Sequence, residues 1–161
     1  MTTTSTRETR VEVLEDLPAV RITREFDAPP DRVFRAHVDP ELVARWLGPR
    51  GYEMEVDHYD CRTGGSYRYL HRDGDESYAF FGSFHEVREN EVIVQTFTYE
   101  GFPDGVSLER LELTDLGGGR TRLTGFSLLD SFEARDAMVA SGMEAGVVQG
   151  YEKLDELLAA P

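Results

Sequence analysis

Ser66-Tyr67-Arg68-Tyr69-Leu70-His71-Arg72, then Asp73-Gly74-Asp75, then Ser77-Tyr78-Ala79-Phe80-Phe81-Gly82-Ser83-Phe84-His85-Glu86-Val87: this stretch is two alternating runs joined by a glycine turn. Alternation sets Tyr67, Tyr69 and His71 on one face of the first run, and Tyr78, Phe80 and Phe84 on one face of the second. A period of two around a short Asp/Gly connection is the signature of an antiparallel hairpin. The same pattern extends outward in both directions. It predicts strands at about 52–59, 66–72, 77–87, 91–99, 107–115 and 121–129, linked by Thr63-Gly64-Gly65, Asp73-Gly74-Asp75, Glu89-Asn90, the segment 101–105 and Gly117-Gly118-Gly119. Six amphipathic strands in series form a meander with one covered face and one wet face.

The cover comes from the flanks. Upstream, Val11 and Val13 alternate briefly before a Leu17-Pro18 break, and a firmer strand runs over 20–26. Pro29-Pro30-Asp31 then starts a helix carrying Val33, Phe34, Ala36 and Val38. Asp39-Pro40-Glu41 starts a second, with Asp39 as N-cap, Leu42, Val43, Trp46 and Leu47 as its apolar face, and Gly48-Pro49 as its stop. Downstream, Phe132, Val139, Met143, Val147, Tyr151, Leu154 and Leu158 recur at helical spacing, which predicts one helix over 131–159, about 40 Å long at roughly 1.5 Å per residue, capped by Ser131 or Asp130. The expectation is an α+β chain: a flexible polar tail at 1–10, then a single domain over 11–161, with an antiparallel sheet of about seven strands wrapped around a long C-terminal helix and two short helices after the first strand.

Composition excludes several classes. With 31 acidic against 17 basic side chains the formal charge is −14, a surface that repels phosphate backbones and anionic lipid, so neither nucleic acid nor membrane is an expected partner. Lys153 is the only lysine, a bias that fits either an arginine-favouring genome or adaptation to salt. No run approaches the roughly 20 apolar residues of a membrane span. The polar N-terminus lacks a secretory apolar region, and the single cysteine, Cys61, fits a reducing compartment, so a cytoplasmic location is expected.

The element order, with the residues that fill it, resembles the helix-grip fold of the START-like (SRPBCC) superfamily, and within it the activator of heat-shock-protein-90 ATPase homologues. The carriers are Phe26-Asp27-Ala28-Pro29 into Val33-Phe34; Asp39-Pro40-Glu41-Leu42 through Trp46-Leu47-Gly48-Pro49; Asp60-Cys61-Arg62-Thr63-Gly64-Gly65-Ser66-Tyr67; Gly82-Ser83-Phe84 with Glu86-Val87; Thr96-Phe97; Asp115 through Thr121; and Gly142-Met143 ahead of Tyr151, Leu154, Leu157 and Leu158. The match covers about residues 19–158, and its specificity lies in the order of the pieces. It implies an incomplete sheet around the long helix, with a cavity between them that takes an apolar small molecule. Members include lipid carriers, polyketide cyclases and chaperone-binding domains, so the fold leaves function open. A homodimer and a chaperone partner are further expectations from family habit.

Aromatic bodies with polar tips suit a small-molecule pocket. The expected ligand-binding residues are Trp46, Met54, Tyr67, Tyr69, Phe80, Phe97, Met143 and Val147, with His58 and Tyr99 as polar orienters. The alternative is a filled core whose polar tips find partners. Alternation groups His58 with Met54 and Val56, and Tyr99 with Ile93, Gln95 and Phe97. Sequence leaves open which face meets the helix, because a one-residue slip exchanges the faces. Gly142, Gly146 and Gly150 form a stripe that serves either close packing or room for a ligand. His58, Cys61 and His71 fall on neighbouring strands and His58-x-x-Cys61 has ligand-like spacing, but zinc wants three or four convergent ligands and the paired CxxC and HExxH motifs are absent, so no metal or cofactor is expected. His37 and His85 read as surface or interface groups. His58 or His71 opening into a cavity would serve as a general base of a cyclase- or hydrolase-like enzyme, and Arg62 would lower the pKa of Cys61; no catalytic residue is assigned. Glu109-Arg110 interrupts the parity between Val106, Leu108 and the later Leu111, Leu113, which suggests either an inward charge at a bulge or an edge irregularity.

Overall fold

The computed structural model describes residues 8–160. Its elements run β1 (Arg10–Val13), β2 (Ala19–Phe26), α1 (Pro30–Val38), α2 (Pro40–Trp46), β3 (Glu53–Tyr59), β4 (Ser66–Asp73), β5 (Glu76–Arg88), β6 (Val92–Tyr99), β7 (Ser107–Gly117), β8 (Arg120–Leu128), α3 (Phe132–Ala140) and α4 (Met143–Ala159). The strands form one antiparallel sheet in the order β1-β2-β8-β7-β6-β5-β4-β3. This is the helix-grip architecture. The extra strand over the expected seven is β1, four residues long, whose Val11 and Val13 give too little alternation to distinguish a strand from a tail. Arg10 is already paired with Thr23, while the rest of the expected tail, 1–7, falls outside the described residues.

The meander from β3 to β8 folds strand against neighbouring strand. β2 then pairs with β8, and β3 lies at the far edge. The connection from β2 to β3 must therefore cross the sheet, and α1 and α2 make that crossing. Pro30 takes the first turn of α1, where its missing N–H costs nothing. Asp39 ends α1 and caps α2, accepting from the Glu41 backbone N–H at 3.0 Å.

The expected single helix over 131–159 is broken. Ser131, rather than Asp130, is the cap, accepting from Ala134 N at 3.0 Å, and α3 stops at Ala140. Gly142 has φ +88°, the left-handed conformation with which helices end and which glycine adopts without penalty. α4 restarts one residue later and is the long C-terminal helix, 17 residues. The glycine read as part of a helical stripe is thus the break itself. Arg135 ties α3 down: its Nη1 donates to the Leu14 and Leu17 carbonyls in the β1–β2 connection.

One apolar cluster joins Val20, Ile22 and Phe26 of β2, Val33 and Ala36 of α1, Trp46 of α2, Leu123 of β8 and Tyr151, Leu154 and Leu158 of α4. A second joins Phe34 to Tyr67, Tyr69, Phe84 and Ile93. Leu47, Leu111 and Leu113 touch both.

Candidate functional site

The inner face of the sheet follows alternation on β4, β6 and β7 and on β5 as far as Phe84, where a bulge shifts β5 against β6 before Glu86, and this settles the register. Tyr67, Tyr69 and His71 are buried on β4; Phe80 and Phe84 project from β5; Ile93, Gln95, Phe97 and Tyr99 from β6; Ser107, Glu109, Leu111 and Leu113 from β7. The β7 pairing is unbroken from Ser107 to Glu112 with β6, and from Leu108 to Asp115 with β8. Glu109 therefore turns inward by plain alternation and no bulge is involved. Val106 and Leu108, the apolar residues that made Glu109 look out of phase, are the ones facing outward, each 47% exposed.

A bulge does occur on β3, and it moves a histidine. The register shifts between Val56 and His58, so Tyr59 takes the inward position and His58 the exposed one. Instead of orienting a ligand among Met54 and Val56, His58 lies between Asp57 (Nδ1 to Oδ2, 3.2 Å) and Ser66 (Nε2 to Oγ, 3.1 Å) on the outside of the sheet. His37 shifts the other way, from an expected surface group to a buried one. Its Nδ1 is 2.7 Å from the Val33 carbonyl, its ring meets Trp46 edge-on, and burial lowers its pKa to about 4. Cys61 also departs from expectation: Arg62 pairs with Asp60 at 2.8 Å, and burial pushes the thiol up to about 12. Burial favours the neutral thiol, with the Asp60 charge adding to it.

The other expected ligand residues divide into two groups. Trp46 is wholly engaged. Its Nε1 donates to the Ala36 carbonyl at 2.8 Å, and its ring stacks on Tyr151 at 5.8 Å. Tyr67 and Tyr69 stack on each other at 5.8 Å in the second cluster. Phe97 stacks on Phe80 at 5.3 Å, and Phe80 meets Tyr99 at 5.3 Å, carrying a ladder of rings outward to Tyr99, which is 38% exposed. Met54, Phe80 and Phe97 are half-buried against the second cluster, and Met143 and Val147 half-buried against the first.

At the centre stands a polar group that was not among the expected ligand residues. The Glu109 carboxylate accepts from Gln95 Nε2 (3.1 Å) and from Ser127 Oγ (2.9 Å). Gln95 also reaches Tyr67 Oη at 3.3 Å, and that hydroxyl donates to the Thr96 carbonyl at 2.7 Å. Burial raises the Glu109 pKa, against the opposing pull of its two hydrogen bonds. The nearby carboxylate and burial push the hydroxyl pKa values of Tyr67, Tyr69 and Tyr151 upward, burial being the larger cause in each. The sequence signal for Glu109 is the parity break itself, which leaves an inward charge at a bulge and an edge irregularity both open; the pairing shows neither a bulge nor an irregularity at that position.

His71 sits beside this centre, against Tyr69 and Phe80 at 5.2 and 5.5 Å, its Nε2 buried without a partner and its pKa lowered by burial to about 4. Gly48 closes over it: a Cβ there would lie 2.1 Å from His71 Cε1. On its other side the same loop packs on α4, where a Cβ at Gly150 would meet Gly48 N and Trp46 O at 3.4 Å. Gly150 thus serves close packing, while Gly146 has only Pro49 near it, at 3.7 Å. Two grooves flank α4, one of about 200 Å³ lined by Arg45, Arg50, Lys153, Glu156 and Leu157, the other of about 290 Å³ lined by Glu8, Thr9, Arg24, Val148 and Glu152. Among the described residues, no three His, Cys, Asp or Glu side chains group to hold a metal ion. No helix among them is long and apolar enough to cross a membrane.

A sheet gripping a C-terminal helix, with aromatic walls and a few polar groups between, defines the helix-grip class. Residues 27–159 match the family described as Activator of Hsp90 ATPase homolog 1-like protein, and the chain belongs to that family. Solved structures agree over nearly the whole length. Protein Ms6760 from Mycobacterium smegmatis is 28% identical with a TM-score of 0.86, covering 96% of this chain and 98% of its own. A Rhodobacter sphaeroides protein is 26% identical with a TM-score of 0.87, covering 96% and 100%. An Arthrobacter aurescens protein is 26% identical with a TM-score of 0.86, covering 94% and 92%. No curated protein matches the chain. The family fold supports a ligand-binding or interaction module in general.

Proposed function

We propose that the protein binds an apolar or aromatic small molecule between the inner face of the sheet and α4. The observation that carries this reading is accessible surface in the middle of the grip. Phe80, Gln95, Phe97, Glu109, Leu111 and Leu113 on the sheet, and Met143 and Val147 on α4, all point inward or pack against the clusters, and none is fully buried. Residues in a filled core would be closed off, as Leu123 and Leu154 are at 0% exposure. The rings of Phe80, Phe97 and Tyr99 supply an apolar wall and Gln95 and Glu109 the orienting polar groups, the composition of a small-molecule site.

The test uses N-phenyl-1-naphthylamine, a neutral probe that fluoresces in apolar surroundings. The wild-type chain should enhance its fluorescence and gain several degrees of Tm at about 100 times the dissociation constant, where binding adds about 2.7 kcal/mol. Val147→Trp, which fills the space from the helix side, should remove both effects while the far-UV spectrum is unchanged. Enhancement that survives Val147→Trp would exclude the interior as the site.

A second reading, a chaperone or other protein contact, is favoured by one surface. Phe81 and Leu108 lie on the outer face opposite Thr98 and Thr96, and Phe102 and Val106 follow in the β6–β7 connection, all four exposed. Replacing Phe102 and Leu108 by serine would weaken that contact without touching probe binding.

A further inference from the structure

Every other deeply set charge in the grip has a counter-charge or a cage of carbonyls. Arg24, 2% exposed, is held by both oxygens of Asp155 and donates to the Glu25 carbonyl. Glu25 pairs with Arg120 at 2.8 Å. Arg135 has two backbone carbonyls and Asp136. His37 and His71 avoid the problem by staying neutral.

Glu109 is the exception. Its two partners, the Gln95 amide and the Ser127 hydroxyl, are neutral, and among the described residues no basic nitrogen forms an ion pair with its carboxylate. A buried carboxylate without a counter-ion is costly and persists only where something supplies one, or where it takes up a proton. Each oxygen accepts a single hydrogen bond here and has a lone pair to spare. The residue is enclosed by β6 and β8 yet keeps some accessible surface. The neighbouring walls are ring faces: Tyr67 stacked with Tyr69, and Phe97, two residues from Gln95 on β6, stacked with Phe80. Ring faces carry negative potential and attract cations.

We propose that the ligand of the grip is a lipophilic amine, its ammonium group on the Glu109 carboxylate and its apolar body along Phe97, Phe80 and Val147. The inference rests on the interior-binding reading above and deepens it. An ammonium fills the spare acceptor positions, supplies the missing charge and lies against aromatic faces. The chain's net charge of −14 favours the approach of a cation over an anion of the same shape.

Three naphthalene probes of one skeleton separate the ideas: 2-(1-naphthyl)ethylamine, 2-(1-naphthyl)ethanol and 1-naphthaleneacetate, titrated calorimetrically at pH 7 and low salt. The amine should bind the wild-type chain at least tenfold more tightly than the alcohol, and the acetate most weakly. Glu109→Gln, which keeps the shape and can still bond Gln95 and Ser127, should cost the amine about tenfold and the alcohol far less, so that the preference for the amine disappears. An alcohol that binds wild type as tightly as the amine overturns the cation proposal and leaves the pocket standing. So does a preference that persists in Glu109→Gln. No binding by any of the three, together with no response to the neutral fluorescent probe, overturns the pocket and the cation together. The wild-type comparison requires no variant, so it decides the matter even if Glu109→Gln folds poorly.

Discussion

The two halves of α4 are made from similar residues and are buried differently. Gly150, Tyr151, Leu154 and Leu158 are buried, whereas from Met143 to Gln149 no residue is. In the C-terminal half, Tyr151 has Trp46 stacked at 5.8 Å and Phe26 edge-on at 5.5 Å, and Gly48 packs against Gly150. The N-terminal half lies near partly accessible residues of the sheet and follows directly on the left-handed turn at Gly142. One helix thus combines a buried C-terminal anchor with a half-buried N-terminal part, and truncations in the two should differ in cost.

The contrast is most directly broken by truncating both halves. Leu154→Ala should cost about 2–5 kcal/mol, the range for a leucine removed from a closed core, whereas Val147→Ala should cost about 1 kcal/mol or less. Urea unfolding at constant m-value measures both, and equal losses would abolish the distinction. Next in size is the loop between the halves. Gly48→Ala combines a φ of +96° with a Cβ 2.1 Å from the His71 ring, and should cost about 1–3 kcal/mol and displace His71. The His71 ring resonances would report the displacement; an unshifted ring would show that the loop yields instead.

Acid tests the packing around two buried histidines. His37 packs on Trp46, and His71 lies against Tyr69 and Phe80 beneath Gly48, both held neutral with pKa values lowered to about 4 from 6.5. Between those values the unfolded chain binds more protons, so stability should fall as pH drops from about 6.5 to about 4. Glu109, with its pKa raised, acts with the opposite sign: its contribution is present at low pH and lost as pH rises through its folded value. Stability against pH should accordingly be flatter in His71→Gln than in wild type over that window. Glu109→Gln should raise the Tm at pH 7 and lose that advantage in acid. The smallest effect belongs to the glycines. Gly146→Ala, meeting only Pro49 at ordinary contact distance, should stabilise by up to about 1 kcal/mol, the helix-propensity difference, whereas Gly150→Ala, wedged at 3.4 Å from backbone atoms, should gain less or lose.

Most of the fold was legible because long amphipathic strands and glycine turns speak locally. The boundaries of β4, β6 and β7, the Asp39 cap and the short helices follow from runs of several residues with one period. β1 was missed because four residues hold too few alternations, and the break in the C-terminal helix because Ser141-Gly142 was read for spacing rather than as a stop. The site was less legible. Whether His58 or Tyr59 faces inward depends on one bulge in β3, and His37 looked like a surface group because its helix is polar on average while its own position meets Trp46.

By itself the sequence determined the class of the chain, its order of elements, its acidic surface and a sheet with one aromatic face. Those properties depend on period and composition, which are local. The tertiary structure decided which of the two faces meets the helix, which polar groups are trapped there and whether each has a counter-charge. Glu109 is the case in point. Its place beside Leu108 and Arg110 shows only an acid out of step, and only the pairing of β6, β7 and β8 brings Gln95 and Ser127 to it and leaves its charge without an opposite. Burial and compensation are properties of neighbours distant in the chain, and the local pattern holds no record of them.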